Sequence, residues 1–217
     1  TGHWITNNYF YKLKGSTFRA PLAVMNGIPK SPLNRYNQVT DVVVAHNSFI
    51  DCESPFHLSV GSNVSQKDVL PPSEIRSARP ERMVVANNFI YNHQENTIPI
   101  IAYDAVDGVK FYKNISNSAN KSEVQSDGLM TKTIQVKQLS ESLFVPTENH
   151  KDIYRGFDFE TISKDLFGQE RSQQNAIGAI IVPVKDGKDL IDKSRYGTDW
   201  FEIEKNVHQP QTFSVSN

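Results

Sequence analysis

One short pattern returns four times in this chain, and it limits the fold more than any other feature. Trp4-Ile5-Thr6-Asn7-Asn8-Tyr9-Phe10, Val43-Val44-Ala45-His46-Asn47-Ser48-Phe49, Val84-Val85-Ala86-Asn87-Asn88-Phe89-Ile90 and Val109-Lys110-Phe111-Tyr112-Lys113-Asn114-Ile115 each set alternating apolar residues before an asparagine that another apolar residue follows. Aligned on Asn8, Asn47, Asn88 and Asn114, the segments recur at intervals of 39, 41 and 26 residues. They are short and rich in strand formers, and no helical periodicity competes with them. Arrays of helical repeats or propeller blades carry helix patterns or blade signatures that are missing here.

A parallel β-helix accounts for the spacing. Each coil is a few short strands joined by tight bends, about two dozen residues when bare and longer when a loop is inserted. The shortest interval fits one bare coil, and the Pro- and Ser-rich stretches 27–33 and 61–72 supply the insertions that the longer ones need. Asparagine suits the bend because it tolerates the left-handed region and bonds its own backbone. Stacked bends would place Asn over Asn and satisfy the amides in a row. These asparagines are therefore read as scaffold, and residues 1–116 as coils of an all-β, right-handed parallel β-helix.

After Ser116 the pattern fades into irregular loops and a C-terminal extension. Residues 134–139 and 142–145 are short apolar pieces, Ile177–Val184 reads as a strand, and Thr161–Phe167 is the best short helix. No helix longer than two turns is expected. The polar residues 208–217 read as a linker or the first strand of a further unit.

Composition narrows the function classes. With 217 residues and 38% hydrophobic residues the chain can bury a core of one large or two small domains. It has no apolar run of about eighteen residues, so no membrane-spanning helix is expected. A net charge of -1 argues against a nucleic-acid-binding surface. The only cysteine, Cys52, excludes an intrachain disulfide and a thiolate zinc site. Six histidines are scattered without His-x-His or i, i+4 pairing, so no metal site is expected within the chain. Thr1-Gly2-His3-Trp4 is no signal peptide and reads as an entry in mid-domain.

Phosphate-loop, dinucleotide, zinc-helix and nucleophile-elbow motifs are all missing. Asp104-Ala-Val-Asp107-Gly108 and Asp186-Gly187-Lys188-Asp189 lack the ligand count of a calcium loop and read as turns.

The charge is unevenly spread. Residues 1–40 hold Lys12, Lys14, Arg19, Lys30 and Arg35 but no acid, the first being Asp41. Such a stretch suits a surface that meets an anion, or a solvated face whose acids come from elsewhere in the fold. Within it, strand alternation would put Phe18, Ala20, Leu22 and Val24 on one face and turn Arg19 out of the coil. Asn34-Arg35-Tyr36 sets a forked cation beside an aromatic hydroxyl. Arg matches a carboxylate bidentately, and Tyr can stack on a sugar while donating a hydrogen bond. The plainer alternative is that Arg35 ties down its own loop through backbone carbonyls.

The stretches Phe-Arg-Ala-Pro-Leu-Ala-Val-Met-Asn-Gly (18–27), Ser-Pro-Leu-Asn-Arg-Tyr-Asn-Gln-Val (31–39) and Val-Val-Ala-His-Asn-Ser-Phe (43–49) together resemble polysaccharide lyase family six, the family of alginate lyases and chondroitinase B-type dermatan sulfate lyases. Pro-Glu-Arg-Met-Val-Val-Ala-Asn-Asn-Phe-Ile-Tyr (80–91), Asp107-Gly108-Val109-Lys110-Phe111 and Arg195-Tyr196-Gly197-Thr198-Asp199-Trp200-Phe201 extend the resemblance to about residue 201. It implies that 1–201 is the C-terminal part of a catalytic β-helix, with 202–217 a linker or the start of a second β-helical domain.

The resemblance further implies β-elimination at a uronic acid, with a lysine base, an arginine acid in an Arg-His-Gly motif, and calcium held by Asn and two Glu. No Arg-His-Gly occurs here, so acid, base and calcium ligands are expected upstream of Thr1. The chain is left with substrate contacts: Arg19, Arg35 and Tyr36. The implied partner is an acidic polysaccharide, alginate before dermatan sulfate, with no nucleic acid or membrane, and the setting secreted or periplasmic. The basic residues 1–40 offer no Asp/Glu pair for a hydrolytic glycosidase. A non-catalytic sugar-binding β-helix and a C5-epimerase are the other classes considered. The Arg76, Arg79 and Arg82 cluster, the feature a sulfated substrate would want, reads as loop structure because Glu74, Pro80 and Glu81 flank it.

Overall fold

The computed structural model describes residues 2–184, apart from 16, 33–34, 121–123, 125–126, 151–152, 154–155 and 172–174. The domain boundary expected near residue 201 and the Arg195–Phe201 motif lie outside the described residues, as do Leu33, Asn34 and Asp186–Asp189.

The chain winds in coils of three strands. The first coil is β1 (His3–Thr6), β2 (Tyr9–Tyr11) and β3 (Leu22–Met25); the second is β4 (Val42–Ala45), β5 (Ser48–Ile50) and β6 (Phe56–Val60). The third is β7 (Met83–Ala86), β8 (Phe89–Tyr91) and β9 (Ile100–Ala102), and the fourth opens with β10 (Val109–Tyr112) and β11 (Asn114–Ser116), before β12 (Leu129–Thr131). Equivalent strands pair in parallel into sheets of order β1-β4-β7-β10, β12-β11-β8-β5-β2 and β3-β6-β9. This is a parallel β-helix, and its right-handed sense is the one parallel crossovers adopt. The third coil is bare; the first two carry long connections, the second with two short 3₁₀ turns, Val64–Gln66 and Pro72–Glu74.

The repeat unit explains the stacking. Val44, Val85 and Phe111 of the first sheet face Phe56, Leu58 and Ile100 of the third across the interior. Phe10 stacks on Phe49 with ring centroids 4.8 Å apart, and Phe49 packs on Ile90. Burial of this kind contributes about 25 cal/mol for each Å² of apolar surface removed from water. Gly108 enters the fourth coil so close beneath its predecessor that a Cβ would lie 2.1 Å from the Pro80 carbonyl oxygen. Only glycine fits there.

The aligned asparagines form the expected ladder. Asn8 Nδ2 donates to Asn47 Oδ1 at 2.9 Å, Asn47 Nδ2 to Asn88 Oδ1 at 2.9 Å, and Asn88 Nδ2 to Asn114 Oδ1 at 2.8 Å. Each acceptor oxygen also takes the backbone N–H of the preceding ladder residue. The ladder ends where Asn114 N and Nδ2 donate to the Gly128 carbonyl instead.

The left-handed backbone, expected at these asparagines, sits one residue earlier, at Asn7, His46, Asn87 and Lys113, with φ between 53° and 57°. The preceding residue absorbs the reversal, so the ladder side chain is free to turn inward and bond across coils.

Beyond the coils, β13 (Val136–Ser140) and β14 (Leu143–Pro146) form an antiparallel hairpin. The hairpin and the segment 176–182 cover the outer face of the second sheet, burying Ile50, Phe89 and Ile115 under Leu143, Val145, Ile177 and Ile180. Tyr9 pins the hairpin: its hydroxyl donates to the Phe144 carbonyl at 3.1 Å and accepts from the Phe144 N–H at 2.8 Å. Burial pushes this hydroxyl's pKa up. Residues 177–182 are buried as their apolarity demands but form no strand, because their backbone groups bond to Ser48 Oγ, the Asn87 carbonyl and Arg171 instead of to a neighbouring strand. Residues 161–167 form turns, not a helix; the Asp165 carboxylate takes the Phe167 N–H that a helix would have used, and with it those of Gln169 and Ile181.

Candidate functional site

Arg19 lies just before β3, at the end of a connection held from beneath. Phe18 does not share the inward face of Leu22 and Val24, as alternation over 18–24 would require. It is 59% exposed, because the strand begins only at Leu22 and Thr17 bends with φ 55°. Its ring leans on Tyr103 at 6.0 Å, and the Tyr103 hydroxyl donates to the Thr17 carbonyl.

Behind Tyr103 stands His57, 1% exposed, with Nδ1 3.4 Å from the Tyr103 hydroxyl and Nε2 2.5 Å from Ser54 Oγ. No spacing in the sequence pointed to this chain of groups, which joins three coils. The Arg19 side chain is exposed and makes no hydrogen bond or ion pair with the described residues.

Arg35 and Tyr36 come after β3, in the first coil's long connection. Ile28 N–H donates to the Tyr36 carbonyl at 2.8 Å, and Gly27 and Ala78 exchange backbone bonds of 2.8 and 2.9 Å, so the first insertion leans on the second. The Tyr36 ring, 46% exposed, has the Arg76 guanidinium 5.6 Å from its centroid, a cation–π contact. Arg76 Nε donates in turn to the Gly61 carbonyl.

Arg35 is exposed. Its amide bonds Pro32 O at 3.0 Å, but its guanidinium bonds no carbonyl of its loop among the described residues. The four-residue β3, roughly 13 Å long, separates Arg19 from the Arg35–Tyr36 connection, so the structure does not bring the three residues into one cluster.

Arg79 and Arg82, by contrast, are spent on the protein. Arg79 pairs with Asp104 at 3.0 Å and Asp107 at 3.4 Å; Arg82 pairs with Asp41 at 2.6 Å and Glu81 at 3.3 Å. Burial pushes the Asp104 carboxyl up, but bonds from Ala105 N, Ser62 Oγ and Arg79 outweigh it and hold the pKa below the usual range. The Arg82 bond likewise holds Asp41 at about 2. Asn26 Nδ2 joins this network through Asp104 Oδ2 at 3.1 Å, and its buried Oδ1 is the one such side-chain acceptor without a partner among the described residues.

Comparison with known proteins identifies this architecture. The chondroitinase B family matches residues 1–160. Among solved structures, the polysaccharide lyase family six alginate lyase AlyGC superposes with a TM-score of 0.57 at 30% identity, over 69% of this chain and 19% of that one. An arginine-to-alanine mutant of the same enzyme gives 0.57 at 31% identity over the same shares. The chain thus spans about a fifth of the length of the lyase it matches. No curated protein matches it. The shared stack of coils and the match over residues 1–160 place this chain in the chondroitinase B family, polysaccharide lyase family six.

Proposed function

We propose that this chain is the substrate-contacting part of a secreted or periplasmic lyase that cleaves an acidic uronate polymer, alginate foremost, by β-elimination. One observation carries the reading. Arg19 and Arg35 are exposed guanidinium groups without a carboxylate or carbonyl partner among the described residues, whereas Arg79 and Arg82 are neutralised by acids. An unspent guanidinium is a bidentate receptor for a carboxylate. Arg19 and Arg35 hold carboxylates of different uronate residues, and Tyr36, backed by Arg76, contacts the sugar beside Arg35.

In the reaction the C5 proton leaves to a base, C4=C5 forms as the C4–O bond breaks, and the departing oxygen takes a proton from an acid. Base, acid and calcium belong, on this proposal, to residues outside this chain. Among the described residues no three His, Cys, Asp or Glu side chains converge, and Asp104 is already saturated by donors. No step is therefore routed through a metal here. What this chain's residues do is fix the polymer's register, a task in which a small misplacement costs much of the rate.

Dermatan sulfate is the second reading, from the name of the matching family. Its sulfates would call for further free cations, and the pairing of Arg79 and Arg82 favours the unsulfated polymer. The test is ultraviolet absorbance of the conjugated alkene when full-length enzyme meets polymannuronate, polyguluronate or dermatan sulfate. Alkene from either alginate block supports the proposal. Alkene from dermatan sulfate alone overturns the substrate, and C5 inversion or bare binding without alkene overturns the lyase.

A further inference from the structure

A cavity of about 660 Å³ lies at another corner, where β2, β5 and β8 end, within the usual size range of ligand pockets. Lys12 and Asp51 occupy the same left-handed position in successive coils, with φ 52° and 51°. His93 reaches back from the third coil to Asp51, through its backbone N–H at 2.9 Å and its Nδ1 at 2.8 Å. The ring is wedged edge-on between Tyr91 at 5.0 Å and Phe144 at 4.9 Å. A carboxylate only accepts, so Nδ1 carries the proton and Nε2 is the atom left for a ligand.

The hydrogen-bond inventory states what that ligand offers. The acceptors are largely used: Asp51 by His93, Glu53 Oε2 by the Gly15 N–H at 3.3 Å, Asn92 Oδ1 by the Gln94 N–H at 2.8 Å, and Gln94 Oε1 by Asn96 Nδ2 at 3.3 Å. The amide donors are not: the side-chain nitrogens of Asn92 and Gln94 bond nothing among the described residues. Lys12 Nζ stands exposed over the Tyr11 ring, 5.0 Å from its centroid, with the Tyr11 side chain as its one hydrogen-bond partner among the described residues. With the carboxylates of Asp51 and Glu53 already holding donors, the two free amide nitrogens and the Lys12 ammonium, walled by Tyr11 and Phe144, fit a sugar whose carboxylate turns toward Lys12.

We propose that this cavity is a further binding site for one uronate residue of the polymer, a reading that rests on the function proposed above. The carboxylate lies against Lys12 and the amide nitrogens of Asn92 and Gln94, and His93 Nε2 accepts a hydroxyl.

The test follows the Cε1–H resonance of His93, assigned with His93→Gln, in the full-length protein titrated with tetramannuronate and with neutral mannotetraose. The resonance shifts and saturates with tetramannuronate. Affinity falls about tenfold in Lys12→Ala and for the neutral sugar, as loss of a charge-assisted contact requires. A silent His93 resonance, or unchanged affinity in Lys12→Ala, overturns the site. Alkene assays on the same samples separate the two readings: activity with a silent His93 removes this site alone, and saturable shifts without alkene remove the lyase reading and leave the site.

Discussion

Two rows of residues, adjacent in sequence, do opposite things in this molecule. The row Asn8, Asn47, Asn88 and Asn114 bonds to itself, coil to coil. In the row one residue earlier, Asn7, His46 and Asn87 bond to a distant stretch of chain. Asn7 Nδ2 donates to Lys164 O at 2.8 Å; His46 Nδ1 donates to Ala176 O at 3.0 Å; Asn87 Oδ1 accepts the Phe157 N–H at 2.6 Å, and its Nδ2 donates to His46 Nε2 at 2.9 Å. Arg171, only 4% exposed, completes the outer seam by donating to Asn7 Oδ1 and to the Ala176 and Gly178 carbonyls. A ladder in which every amide both donates to the next coil and accepts from the last repeats the same residue. The outer row, whose bonds go mainly to a non-repeating segment, need not, and it reads Asn, His, Asn, Lys.

The largest effect expected lies in the inner row. Asn88→Ala strips partners from Asn47 N, Asn47 Nδ2 and Val44 O at a site 2% exposed. Unmatched buried polar groups cost about 1–3 kcal/mol each, so a loss of about 3–5 kcal/mol is expected in urea unfolding. A loss below about 1 kcal/mol would mean that the ladder follows the coils rather than holding them.

Arg171→Met sharpens the contrast from the other side. It leaves several carbonyls and Asn7 Oδ1 without their donor, and about 3 kcal/mol is expected to be lost. The loss should be local: hydrogen exchange quickens in 157–181 while β4, β7 and β10 keep their protection. Uniform quickening would make the outer seam as integral as the ladder.

A smaller, pH-dependent effect comes from His46. Burial first, and the charge of Arg171 second, push its pKa down from 6.5 to about 3. The neutral ring donates from Nδ1 and accepts at Nε2, and a second ring proton would confront the Asn87 amide. The unfolded chain thus binds a proton that the folded chain refuses. This stability is full above pH 6.5 and is lost as pH falls toward about 3, at about 1.4 kcal/mol per pH unit. Unfolding of wild type and His46→Asn between pH 7 and pH 4 checks it, the variant being expected to lack that slope. Parallel curves would assign the acid sensitivity to other groups.

The same contrast explains what the sequence made legible. The coils, their lengths and the Asn register follow from a pattern with period one coil, and each of those readings has a counterpart in β1 to β11. The extension does not repeat, so Ile177–Val184 looked like a strand and Thr161–Phe167 like a helix; their bonding partners, Asn87, Ser48 and Asp165, are fixed only by the tertiary fold. Phe18 looked inward because alternation was carried past the turn at Thr17. At the candidate site the unpaired arginines were visible as a stretch without acids. The supports were not: Tyr103 and His57 beneath Thr17, and Arg76 behind Tyr36, come from other coils.

The division between spent and unspent arginines is the center of the functional account, and steady-state kinetics on polyuronate tests it most directly. Arg19→Ala and Arg35→Ala are made in the full-length enzyme beside Arg82→Ala, whose wild-type side chain is already paired with Asp41. Each of the first two should raise KM about tenfold to a hundredfold with melting unchanged, and Arg82→Ala should leave KM where it was. Wild-type KM and kcat in folded Arg19→Ala and Arg35→Ala, or an equal rise in Arg82→Ala, would contradict it.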